Sequence, residues 1–153
     1  MRDPARAYRE LSARAASPVG LVAVLYEDIV RSLRRALDAV QRNNIERRTL
    51  ELSRAILVIG YLQSVLDYEK GGEIAQRLSD FYNSARSRIL ECSGPNAQKL
   101  LESLAAEFSD LDIGWQEIDH QISQQAEPEL VAAAGVPARL LRRGESRRAR
   151  MSR

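Results

Sequence analysis

Three places in this chain carry residue types capable of chemistry. Glu117 and His120 make a Glu-x-x-His pair, the i,i+3 spacing with which di-iron four-helix bundles hold metal between carboxylate and imidazole. Such centres draw a second Glu-x-x-His from another helix, and His120 is the only histidine. Within one chain the pair therefore reads as part of a solvent-facing helix surface. Cys92 is the only cysteine and has no evident partners for a triad or a zinc site. Gly71-Gly72-Glu73 lacks the Gly-Lys-Ser or Gly-Lys-Thr ending of a phosphate loop. It reads instead as a turn and a helix start, with Glu73 where the macrodipole favours negative charge. No catalytic, cofactor-binding or metal-binding residue follows from these patterns, and no enzyme is expected.

The informative segment is apolar. Leu50 to Leu66 reads as one helix with two apolar faces. Ala55, Ile59, Leu62 and Leu66, flanked by Leu52 and Ile56, step by three and four and suit a bundle core. Leu50, Leu57, Tyr61 and Val65 form a second row on a different face. That row either meets other helices of the same chain or is left for a partner, and periodicity alone does not choose.

Four helical segments must carry these residues. Ser17-Pro18 opens the first with a capping hydroxyl and a ring that needs no N–H partner. Its seam is Val22, Tyr26, Ile29, Leu33, Ala36 and Val40. Asn43 and Asn44 end it and can cap the second helix, which starts near Ile45. Tyr68 to Gly72 reads as a short break. The third helix presents Ile74, Leu78, Phe81 or Tyr82, Ala85 and Ile89, and stops at Ser93-Gly94-Pro95. The fourth is the most regular: Leu101, Leu104, Phe108, Leu111, Trp115, Ile118 and Ile122 alternate steps of three and four. Gly114 inside it costs about 1 kcal/mol relative to alanine. Links this short predict an all-α, antiparallel four-helix bundle.

The expected domains are an N-terminal cap segment (1–16), the bundle (17–126) and an alanine-rich linker with an arginine-rich tail (127–153). From Arg139 onward there are seven arginines and one acid, Glu145; ahead of Arg139 stand 16 basic and 20 acidic residues. The bundle is thus acidic and the net +2 belongs to the tail, which is expected to be disordered when free. A single cysteine, no apolar run of about 18 residues and no uncharged hydrophobic stretch at the start predict a cytosolic protein.

Several of these residues also resemble a known family, the flagellar secretion chaperones called FliS. Ser17-Pro18, Leu21 and Leu25-Tyr26-Glu27-Asp28 look like the start of its first main helix. Ser53, Ala55, Ile56, Leu62, Ser64 and Leu66-Asp67 resemble its second helix. Gly71-Gly72-Glu73-Ile74-Ala75, with Leu78 and Tyr82, resembles the signature at the start of its third. The likeness runs from about Tyr8 to Ile122; Gly20 and the arginine- and alanine-rich approach to Ser17 depart from the family's pattern.

The resemblance implies an antiparallel bundle that binds the disordered C-terminal region of flagellin as helices along its outer surface, before export. Tyr8 would match an N-terminal tyrosine in a segment able to cover part of that groove. The expected partner-binding residues are Tyr8, Leu11, Leu25, Leu50, Leu57, Tyr61 and Val65, with core packing as the competing role, most evenly for Leu25. Contact with export machinery is a further possible interaction. Two other readings stay open: self-association of the apolar row into a homodimer, or a di-iron bundle across two chains, and binding of nucleic acid or acidic surfaces by the tail. No cofactor is expected under the leading reading.

Overall fold

A computed structural model describes residues 18–122 and 133–135 of the 153. Four helices follow one another: α1 (Pro18–Gln41), α2 (Ile45–Ser64), α3 (Tyr68–Leu90) and α4 (Ala97–Ile122). There is no strand among the described residues. Short links reverse the chain three times, giving the antiparallel bundle expected from loop lengths. The N-terminal cap segment, Ser17 and the arginine-rich tail lie outside the described residues.

The turns work through short polar side chains. Asn43 takes a positive φ of 54°, which asparagine tolerates better than most residues. The carboxamide oxygen of Asn44 then accepts the Arg47 N–H at 3.0 Å and caps α2. Asp67 does the same for α3, accepting from the Lys70 N–H at 3.0 Å. Tyr68 to Gly71, which the sequence reads as a break, is therefore a capped helical turn. The interruption is Gly72 alone, at φ 50° and ψ −122°, a conformation that a side chain would strain.

α1 is wedged between α4 and α2, its two most extensive neighbours. It consequently buries a stripe wider than one seam: Val19, Val22, Ala23, Leu25, Tyr26, Ile29 and Val30 all enter the core. Leu25, for which core packing is the competing role, is 4% exposed and belongs to the core cluster.

Aromatic rings tie three helices together at one level. The Tyr26 ring lies 5.6 Å from Phe108, 5.9 Å from Trp115 and 6.3 Å from Tyr82, and Phe81 lies 4.9 Å from Phe108. These centroid spacings suit tilted aromatic packing. The Tyr26 and Tyr82 hydroxyls share a buried hydrogen bond of 2.5 Å, and burial pushes the Tyr26 pKa up to about 12 and that of Tyr82 well above its usual value.

The fourth seam is interrupted at Leu111. Leu111 is exposed, and Asp112 takes the interior position. The Gln116 amide donates to the Asp112 carboxylate at 3.0 Å, yet burial still raises the carboxyl pKa. Regular apolar spacing made Leu111 the natural choice; the rotation of α4 against α1 decided otherwise.

Candidate functional site

The second apolar row of α2 is on the outside. Its inner face buries Leu52, Ala55, Ile59 and Leu62, whereas Leu50 and Leu57 are 54% and 57% exposed. Tyr61 and Val65 are half-buried. Leu50 to Val65 spans about 22 Å at the helical rise, so the row is as long as a four-turn partner helix.

Composition of the rest of that face matters as much. Ser53, Leu57, Gly60 and Ser64 follow one another along one edge of it, and Arg54, set between Leu50 and Leu57, lies 3.9 Å from the buried Glu51 carboxylate. Ser64 bonds back to the Tyr61 carbonyl at 2.7 Å, so its hydroxyl makes little demand on solvent. Gly60 sits mid-helix, where glycine costs about 1 kcal/mol relative to alanine. An added Cβ there would meet nothing within 4 Å. The protein's own packing does not require this glycine; the open notch beside Leu57 and Tyr61 admits close approach of another backbone.

One end of the row is occupied by the chain itself, a feature that the sequence pattern does not signal. Ala133, Ala134 and Gly135, from the stretch set aside as linker, sit at the corner between α2 and α3. Ala133 and Ala134 are buried. The Asp67 N–H donates to the Ala133 carbonyl at 3.4 Å. A Cβ on Gly71 would fall 2.5 Å from the Ala133 Cα, and one on Gly135, at φ 83°, would fall 2.1 Å from the Val65 carbonyl oxygen. Both glycines are there because two backbones touch. Val65 thus lies under this contact, while Leu50, Leu57 and Gly60 stay open.

The neighbouring surfaces differ in kind. α3 turns a charged face outward, with an Arg77–Glu73 pair at 2.7 Å and a Gln76–Asp80 hydrogen bond at 2.9 Å. Gln63 of α2 joins it at the seam, donating to Asn83 at 2.8 Å and to Ser79 at 3.3 Å. Tyr68 and Leu90 on α3 and Leu111 and Ile113 on α4 are also exposed; scattered apolar residues of that sort are ordinary.

Among the described residues, no group of three or more His, Cys, Asp or Glu side chains is placed to hold a metal ion, and Glu117 and His120 both face solvent. The buried Cys92 thiol donates to the Arg88 carbonyl at 3.2 Å, and burial raises its pKa, the protonated form being the less reactive one. No described helix is long and apolar enough to cross a membrane. Tyr8 and Leu11 lie outside the described residues.

Comparison with known proteins places the chain among flagellar relatives. A model of the family described as flagellar protein FliS matches residues 1–122. The flagellar secretion chaperone FliSB of Pseudomonas aeruginosa is 31% identical over 117 residues, covering 74% of this chain and 93% of that protein. The flagellar secretion chaperone FliS of Salmonella typhimurium is 30% identical over 125 residues, 78% of this chain and 93% of its own length. That of Campylobacter jejuni is 41% identical over a shorter 76 residues, 50% of this chain and 59% of its own.

Proposed function

The chain belongs to the FliS family of flagellar proteins, and from that premise we propose that it is a cytosolic secretion chaperone. Its cargo is the disordered C-terminal region of flagellin, received as helices along the outer face of α2. The observation that carries this reading is the apolar row of Leu50, Leu57 and Tyr61, open at Gly60, on a bundle whose core is already filled. Exposed leucines add nothing to the fold of the free chaperone. They gain about 1.5–3 kcal/mol each only when a partner covers them.

Flagellin ends pack against one another in the filament, so a free monomer carries apolar helical faces prone to premature assembly. A chaperone that covers those faces blocks polymerisation by occupancy alone. Ordering the cargo offsets most of the gross gain from burial, which leaves binding tight enough to protect and reversible enough to release. The N-terminal segment around Tyr8 and Leu11 would cover part of the same row before cargo arrives.

The test is fluorescence anisotropy of a labelled flagellin C-terminal peptide against the full chain. Leu57→Asp should weaken binding at least tenfold with unchanged helicity by circular dichroism, since loss of one buried leucine is worth that much. Equal affinity in both Leu57→Asp and Tyr61→Ala would remove α2 from the site. A dimer seen by light scattering that the peptide fails to dissociate would assign the row to self-association.

A further inference from the structure

Charge is unevenly placed on this bundle. Between Pro18 and Ile122 there are 12 lysines and arginines against 16 aspartates and glutamates, yet seven of the twelve lie between Arg31 and Arg54. Five of these, Arg31, Arg34, Arg35, Arg42 and Arg47, line one depression of about 640 Å³ beside the turn between α1 and α2, with only Glu27 and Asp38 as acids. The rest of the bundle is correspondingly acidic: α4 carries Lys99 against six carboxylates.

The arginines are not equally engaged. Arg31 pairs with Glu27 at 3.1 Å, Arg42 with Asp38 at 3.1 Å and Arg47 with the fully buried Glu51 at 3.2 Å. The guanidinium groups of Arg34 and Arg35, midway along the depression, have no ion pair or hydrogen bond among the described residues, and both residues are exposed. Two free guanidinium forks between neutralised ones form a receptor for carboxylates, which they bind two oxygens at a time.

We propose that this crease is a second docking surface and that its occupant is an acidic helical segment of a partner protein. Glu27 to Arg42 extends about 22 Å along α1, matching a helix of about 15 residues with carboxylates one turn apart. Val30 gives the crease an apolar floor. A nucleic-acid strand fits less well, since no aromatic lines the crease for base stacking. The interaction differs from cargo capture on α2, which depends on apolar burial, and complementary charge mainly sets encounter rate and selectivity.

The probe is a labelled 15-residue amphipathic helical peptide with glutamate at every fourth position, titrated into the full chain at low salt. Arg34→Glu/Arg35→Glu should lower its affinity at least tenfold, Arg34→Lys/Arg35→Lys by less, while binding of the flagellin C-terminal peptide is unchanged. Both pairs are exposed and should leave helicity intact. Any contribution from the arginine-rich tail is common to all three proteins and cancels in the comparison. The proposal is overturned if the charge-reversed protein binds the acidic peptide as well as the parent, if a glutamine version of the peptide binds equally, or if an oligonucleotide of the same charge binds more tightly through Arg34 and Arg35.

Discussion

The two faces of α2 use the same residue types to opposite ends. Inside, Leu52, Ile59 and Leu62 are enclosed by α1 and α3; outside, Leu50 and Leu57 project into solvent two positions away in sequence from Leu52 and Ile59. The adjacent α3 shows what a face with no such role looks like, since its exterior is laced with short-range charge and amide pairs. Hydrophobicity alone therefore says little about where a leucine lies. Enclosure by neighbouring helices decides whether it stabilises the fold or waits for a partner.

Substitution of matched residues should break that symmetry most visibly. Ile59→Ala empties a fully enclosed site and should cost about 2–5 kcal/mol in chemical denaturation, whereas Leu57→Ala should stay within about 0.5 kcal/mol while weakening the flagellin peptide. Equal losses of stability would mean that the outer row is part of the core.

An intermediate effect is expected where the row ends. Gly71→Ala forces a methyl onto the Ala133 backbone, and the overlap should cost about 1–3 kcal/mol or release the Ala133–Gly135 contact. Faster amide exchange at Asp67 would report that release. Slow exchange there in a variant of parent stability would show that the corner tolerates the methyl.

The smallest effect has the opposite sign and sharpens the comparison. Gly60→Ala fills open space on a helix and should raise stability by about 0.5–1 kcal/mol, yet lower affinity for the flagellin peptide by filling the notch. Higher stability with undiminished binding would leave Gly60 without a role in close approach.

The helices themselves were legible in the chain because their causes are local. Asn44 caps α2, as its position before the apolar run predicts, and apolar residues at three- and four-residue steps place Tyr26, Ile59 and Phe108 inside. Faces that depend on rotation and neighbours were harder to read. Leu25 lies in the core because α1 is gripped from two sides, and Asp112 displaces Leu111 because α4 turns that edge toward Tyr26. The crease at Arg34 and Arg35 has no linear signature, since a run of arginines on a helix is more often a solvated surface.

The sequence by itself determined four helices, their order and the surplus of apolar residues on α2, because backbone hydrogen bonding, capping and periodicity act over a few residues. Only the tertiary structure decided which of those residues stay open. It set Leu50 and Leu57 facing solvent, brought Ala133 and Gly135 against Gly71 and Val65 more than sixty residues away in the chain, and gathered arginines of two helices around one depression. Burial and charge proximity depend on how helices are rotated and stacked, and that arrangement is fixed by the packing of all of them at once.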